Sequence, residues 1–366
     1  MRDCAGRARE LAAQTEHERR VSPELSDTLA RAGLYQLCVP ESLGGQEAPP
    51  QVLVESVEAL AVADAAPAWC VAVCATAGML TAYLPADAAR EVAGGGDNVL
   101  GGVFAPMGRA VAHDGGFTVS GRWRFASNAE NCDWLMGGCR VSDAPDVRLV
   151  LFPAQVAEVL DTWRVSGLRG TGSHDIAVEK LVVPSAHTAS LISDRPVQSG
   201  PLYRFPPFGL LALSIAAVAL GIARGALDDV AELASVKTPT MGTRTLAERP
   251  ATQAQLAQAE AALRAARVLL YAAVDAAWEA ARAGSAIPLA LRVDLRLAAT
   301  HAVTTSAAAV DAAYSLGGGS VIYESSPLQR RFRDVHAATQ HMLVGPSTWE
   351  LAGRALLGLD VDDSQL

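Results

Sequence analysis

The sequence predicts an α+β fold in three successive regions: an N-terminal helical domain over 1–97, a middle β domain over 98–195, and a long-helix bundle over 205–366. Three observations carry this expectation. Ala- and Leu-rich stretches fill both ends of the chain, and Ala combines high helix propensity with close backbone approach. Between them the pattern changes to short apolar runs punctuated by Gly, Asp and Pro. A Pro-rich segment (Pro196, Pro201, Pro206, Pro207) then separates the second region from the third.

In chain order, Arg7 to Arg20 is a highly charged helical stretch, and Ser22-Pro23-Glu24-Leu25 reads as a helix start with Pro in the first turn. Gly33 stops that helix. Pro50 to Ala66 and the apolar Pro67 to Tyr83 read as two more helices. The second region opens with a short apolar strand, Asn98 to Phe104. Ala110 to Ser120 then reads as a hairpin, with Asp114-Gly115-Gly116 at its turn. Val147 to Phe152 and Ile176 to Val183 read as further strands, and turn spacing suggests six to eight in all. In the third region, helices are expected over Gly209–Ser235, Thr252–Ala283 and Leu289–Tyr314, with a polar loop from Val236 to Pro250. A last helix is expected from Pro327 to about Leu343, with a short amphipathic tail from Ser347 to Leu357.

Composition excludes several function classes. The chain has 366 residues, half of them hydrophobic, so it can bury a large core. Its 30 Lys and Arg against 39 Asp and Glu leave a net charge of −9, the wrong sign for binding nucleic acid or an anionic membrane surface. The six cysteines (Cys4, Cys38, Cys70, Cys74, Cys132, Cys139) form no C-x-x-C pair and have no His at zinc-site spacing. They read as thiols of a reducing, cytoplasmic compartment. The first residues lack the apolar core of a signal peptide. The longest apolar run, Phe208 to Ala223, is shorter than the roughly 20 residues that span a bilayer, so it reads as a core helix.

Several segments carry a family resemblance. Gly33-Leu34 with Val39-Pro40-Glu41-Ser42-Leu43-Gly44-Gly45, Gly121-Arg122-Trp123-Arg124-Phe125-Ala126-Ser127-Asn128 with Asp133-Trp134, Gly167-Leu168-Arg169-Gly170-Thr171-Gly172-Ser173, and Val182-Val183-Pro184 follow one another in the order found in the acyl-CoA dehydrogenase superfamily. From about Leu25 to Leu359 the chain resembles that superfamily. The resemblance implies a fold whose C-terminal region is a four-helix bundle. Pro106 and Gly108, and the stretch from Pro327-Leu328-Gln329-Arg330 through Arg333-Asp334 to His341, are similar to the branch of two-component flavin monooxygenases. That branch implies an oxygenase component using reduced FMN or FAD and O2 to hydroxylate a small aromatic or polyketide-like substrate. It also implies a homotetramer fed by a separate NAD(P)H-dependent flavin reductase. A second reading comes from Ile322-Tyr323-Glu324, which resembles the segment of true acyl-CoA dehydrogenases whose Glu removes the thioester α-proton. Glu324 is followed by Ser-Ser rather than Gly-Thr, and its spacing to Gln-Arg is one residue shorter.

Under the monooxygenase resemblance, Ser127 and His341 are the catalytic candidates. Ser127 would hydrogen-bond the flavin edge, and His341 would take a substrate proton or orient the substrate. The plain alternatives are a turn Ser with a local hydrogen bond and a satisfied interface His. The cofactor-binding candidates are Trp123, Phe125, Ser127, Asn128, Arg169, Thr171, Ser173 and Arg333, with Trp163 as a further pocket aromatic. For the tryptophans the alternative is core packing, for the Gly-rich loop a tight turn, and for Arg333 an ion-pair network. His336 and His341, five residues apart on a continuous helix, would lie about 140° apart, so no two-His metal site is expected. His174-Asp175, adjacent in a strand, would point to opposite faces.

Overall fold

A computed structural model describes every residue except Asp143, Pro145 and Met241; the last falls in the loop expected between Val236 and Pro250. The N-terminal region holds α1 (Arg2–Glu18), α2 (Pro23–Arg31), α3 (Pro50–Ala63), α4 (Ala65–Gly78) and α5 (Ala86–Ala93). Ser22 caps α2, its hydroxyl accepting from the Leu25 amide at 3.3 Å. The break between α3 and α4 falls at Asp64 rather than at Pro67. The Asp64 carboxylate caps α4, and Pro67 sits in the first turn, where a missing N–H costs nothing. The short α5 left too little periodic pattern to be read from sequence.

Among the described residues the middle region is one seven-stranded sheet built from β1 (Leu100–His113), β2 (Gly116–Ala126), β3 (Trp134–Val141), β4 (Val147–Pro153), β5 (Glu158–Leu160), β6 (His174–Pro184) and β7 (Thr188–Ala189), in the order β5-β6-β2-β1-β3-β4-β7. The expected short strand ending at Phe104 and the first arm of the expected hairpin are one continuous strand, β1. Its register against β3 shifts on either side of Pro106. Pro106 cannot donate to the ladder, so the strand bulges instead of ending.

The C-terminal region holds α6 (Pro207–Val236), α7 (Pro250–Arg282), α8 (Leu289–Gly317), α9 (Pro327–Ala338) and α10 (Pro346–Leu356). The two helical ends share one hydrophobic core, with α3 and α4 packed directly on α6. At 30 residues α6 is longer than its apolar run and apolar enough to cross a bilayer by length and composition. However, 94% of that window is buried in the fold, which makes it a central core helix. Gly221 is where α6 crosses α3. A Cβ there would come within 2.4 Å of the Glu58 carbonyl.

The last expected helix is shorter than its pattern. α9 ends at Ala338, and a separate 3-10 turn, Met342–Val344, follows. His341 is the N-cap of that turn. The 140° relation between His336 and His341 therefore does not apply, because the two are not on one helix.

Candidate active site

Strand β2 positions the site by alternation. Arg122 and Arg124 face outward on either side of Trp123, which faces inward. As β2 leaves the sheet, Phe125 takes a positive φ of 70° and its ring turns out, 60% exposed. A left-handed bulky residue is strained by about 1–3 kcal/mol, and such strain concentrates at functional sites. Arg122, Arg124 and Phe125 open onto a cavity of about 360 Å³, lined also by Thr162, Trp163, Val165, Ser173 and Asp175.

The opposite wall is held by hydrogen bonds. Both the Thr162 and Trp163 amides donate to His174 Nδ1, each at 3.2 Å. The Trp163 indole N–H donates to the Leu168 carbonyl at 3.0 Å, and the ring stands edge-on to Phe125, 6.0 Å between centroids. Asp175 accepts from Arg122 Nε at 2.7 Å and from the Thr162 hydroxyl at 2.8 Å. His174 and Asp175 thus act on one wall from its two sides: His174 fixes the loop backbone, and Asp175 faces the cavity.

Behind Ser173 runs a buried row of hydroxyls. Ser127 Oγ lies 2.7 Å from Ser173 Oγ, which lies 2.6 Å from Thr171 Oγ1. The Trp69 indole donates to Ser127 at 3.1 Å, and Thr171 donates to the Leu168 carbonyl at 2.9 Å. Each hydroxyl has one proton, so these two end bonds fix the direction of the rest: Ser127 donates to Ser173, and Ser173 donates to Thr171. Ser173 accordingly keeps a lone pair for an N–H or O–H group in the cavity. Trp69, at the far end, stands edge-on to His341 with ring centroids 5.7 Å apart.

His341 Nδ1 accepts from the Leu343 amide at 3.3 Å. Burial, and then the positive charge of Arg296, hold its pKa down to about 4. The ring is therefore neutral near pH 7, with its proton on Nε2. It presents a hydrogen-bond donor rather than a base. Arg296 is buried and donates to the Leu343 carbonyl at 3.1 Å, which anchors the turn that His341 caps.

Several expected site residues are placed elsewhere. Trp123 is wholly buried in the sheet core, where its indole donates to the Gly138 carbonyl at 2.7 Å. Asn128 is buried and left-handed (φ 61°), bonded to Tyr35, Cys74 and Asn131. Ser127 and Thr171 stand one layer behind the cavity, and Ser127 has spent both its hydroxyl and its amide on internal acceptors. Arg333 does not line the cavity. Its guanidinium binds Glu16, the Ser166 carbonyl at 2.6 Å and Gln329 at 2.8 Å. Glu324 is exposed, on the turn before α9, and does not line the cavity. Of the expected cofactor and pocket residues, Phe125, Trp163 and Ser173 line it. The sequence reading missed Arg122, Arg124, Thr162, Asp175 and Trp69. Alternation in Arg-Trp-Arg could have shown the first two; Trp69 looked like any core residue of an apolar helix.

Arg169 also lies away from this cavity. It borders a void of about 10 Å³, room for about one water, together with Glu16, Asp64, Arg330 and Asp334. Among the described residues, Asp64 Oδ2 and Arg169 Nε have no hydrogen-bond partner. Burial raises the Asp64 pKa from 3.8 to about 7, which at about 1.4 kcal/mol per unit is up to about 4 kcal/mol. The folded state keeps this proton up to about pH 7, while the unfolded chain releases it near 3.8, so this group lowers stability as pH rises through that window. Asp64→Asn keeps the cap and cannot ionise. It is expected to raise the urea midpoint at pH 8 and leave it nearly unchanged at the acid end of the window. An equal shift at both pH values would refute the assignment.

The cavity suits a flavin. Phe125 and Trp163 offer aromatic surface to a planar ring, Arg122 and Arg124 offer planar donors to a phosphate, and Ser173 offers an acceptor to a ring N–H. Known proteins similar to this chain are flavin-dependent. Residues 213–346 match the family described as acyl-CoA dehydrogenase, C-terminal domain. The chain is 34% identical to an indole-3-acetate monooxygenase of Pseudomonas putida, covering 94% of this chain and 89% of the relative. It is 28% identical to the oxygenase subunit HsaA, a flavin-dependent monooxygenase of Rhodococcus jostii, covering 98% and 97%. Among solved structures, XiaF from Streptomyces sp. in complex with FADH2 and glycerol superposes with a TM-score of 0.91 at 26% identity, over 98% of this chain and 96% of that one.

Proposed function

Because the chain belongs to the flavin-dependent monooxygenases built on the acyl-CoA dehydrogenase fold, as the oxygenase component that uses reduced flavin and O2, we propose that it hydroxylates the ring of a small aromatic compound of the indole or phenol class. The observation that carries this reading is the pairing of Trp69 with a neutral His341, one hydroxyl row behind the cavity. An aromatic edge and a single N–H donor recognise a flat ring that carries one acceptor. The similarity to an indole-3-acetate monooxygenase supports the class.

Bound flavin would supply the activated oxygen. The chain's own residues do the rest. Arg122 and Arg124 bind the phosphate, Phe125 and Trp163 flank the ring, and Ser173 accepts a hydrogen bond from it. His341 donates through Nε2 to an oxygen of the substrate and fixes its orientation. Of the two roles expected for His341, taking a substrate proton or orienting the substrate, this reading takes the second, because Nδ1 accepts from the Leu343 amide. A separate flavin reductase supplies reduced flavin, as the oxygenase-subunit naming of the relatives implies. Exposed apolar residues on α7 (Val268, Leu269) and at the turn before α9 (Ile322, Tyr323) support assembly, which we take to be a homotetramer. The free thiols support a cytoplasmic setting.

The test supplies NADH, a flavin reductase, FMN and labelled O2 with indole-3-acetate, phenol or an acyl thioester. Incorporation of one labelled oxygen into either aromatic compound is expected. Desaturation of the thioester without oxygen incorporation would contradict the reading and restore Glu324 as a candidate base.

A further inference from the structure

The two walls of the cavity share one anchor, the Leu168 carbonyl. It accepts from the Trp163 indole at 3.0 Å on one side and from the Thr171 hydroxyl, hence the Ser173 row, at 2.9 Å on the other. Leu168 is the N-cap of a single 3-10 turn, Arg169–Thr171, whose one backbone bond to it is from the Thr171 amide to the Leu168 carbonyl at 3.2 Å. Leu168 is left-handed at φ 51°, a conformation that persists in a leucine only where its surroundings impose it.

Helix α9 does the imposing. The Leu168 amide donates to Asp334 Oδ1 at 2.6 Å, a charge-assisted bond to a carboxylate that is only 5% exposed. Among the described residues no Lys, Arg or His reaches Asp334 at ion-pair distance. The loop also lies directly on the helix: a Cβ on Gly167 would come within 2.0 Å of the Arg333 carbonyl. α9 leads within a few residues to His341.

We propose that Asp334 is a positioning residue for the cavity. By holding the Leu168 amide it fixes the residue whose carbonyl anchors Trp163 on one wall and the Ser173 hydroxyl row on the other, and ties both to the helix that leads to His341. This rests on the cavity being the flavin site. The contact is between a side chain and a backbone amide, so it depends on an acceptor atom at this position. A change that keeps the acceptor preserves it whether or not the charge is kept.

The test measures reduced-FMN affinity anaerobically, through quenching of tryptophan emission, for wild type, Asp334→Ala and Asp334→Asn, with circular dichroism to verify folding. Asp334→Ala is expected to weaken reduced-FMN binding by about tenfold, the worth of one lost charge-assisted bond. Asp334→Asn, which keeps an oxygen acceptor, is expected to restore affinity to within about threefold of wild type, about 0.65 kcal/mol. Trp163→Phe removes the indole donor without touching α9 and is expected to show a loss like that of Asp334→Ala. It decides the matter if Asp334→Ala does not fold. Combined with Asp334→Ala it should add little, because both cut the same chain. Folded Asp334→Ala with wild-type affinity, Trp163→Phe with wild-type affinity, or Asp334→Asn as weak as Asp334→Ala would each overturn the proposal. Failure of wild type to bind reduced FMN would instead overturn the reading of the cavity itself.

Discussion

His341→Ala is expected to cut formation of hydroxylated product by about 10²–10³-fold, while reduced flavin is still oxidised by O2, which is released as hydrogen peroxide. The variant removes the Nε2–H donor that orients the substrate but none of the residues that line the flavin cavity. Substrate hydroxylation and flavin oxidation should therefore separate. His341→Gln offers a side-chain N–H and should recover part of the coupling. The pH profile discriminates further. With the His341 pKa near 4, product formation should not show a His ionisation between about pH 6 and 8. A base that removes a phenolic proton would instead show an ascending limb in that range. Glu324→Gln should leave product formation within about twofold of wild type, because the residue is exposed and remote from the cavity wall. The measurement is parallel assay of product, O2 and peroxide. Equal loss of product and of flavin turnover in His341→Ala would refute the role.

Trp123→Ala is expected to destabilise the fold by about 3–5 kcal/mol, the usual cost of removing a buried Trp. The ring is wholly buried, tilted against Phe152, and seated in a slot that glycine makes. A Cβ at Gly108 would come within 2.3 Å of the ring, at Gly137 within 2.4 Å, and at Gly121 within 2.7 Å. No neighbouring side chain occupies those positions, so the space collapses poorly after truncation. The change also leaves the Gly138 carbonyl without its donor. Trp123→Phe keeps most of the packing and should lower the melting temperature less. In the folded fraction both variants should bind reduced flavin with near-wild-type affinity, because Trp123 faces away from the cavity. Loss of flavin binding without loss of stability would place Trp123 back at the cofactor.

The contrast between Trp123 and its neighbours shows what the sequence reveals and what it hides. Long Ala/Leu periodicity marks α6, α7 and α8 clearly, because helical spacing persists over many turns. The β region was recognisable as such. The continuity of β1 through Pro106 was not, because a bulge depends on its partner strand. Local composition drew Trp123 and Asn128 into the site, since both sit in the segment that bears the resemblance. Strand alternation sends Trp123 to the core, and a left-handed turn buries Asn128. Arg122, Thr162 and Asp175 come together from three segments, and only the pairing of β2 with β6 brings Arg122 and Asp175 within 2.7 Å. Trp69 and His341 are separated by most of the chain and meet only in the packed structure. The early end of α9, which frees His341 to cap the next turn, was hidden because Thr339 and Gln340 are compatible with helix.

The measurement that tests the central claim most directly mixes the protein and anaerobically reduced FMN with oxygenated buffer and follows the flavin spectrum in time. An oxygenase component that binds reduced flavin should delay return of the oxidised-flavin spectrum well beyond the time free reduced FMN takes, with a transient absorbance unlike either flavin state. Phe125→Ala or Trp163→Ala should shorten the delay. Reoxidation at the rate of free flavin, or purified protein that carries oxidised FAD and is reduced by an acyl thioester, would contradict the account.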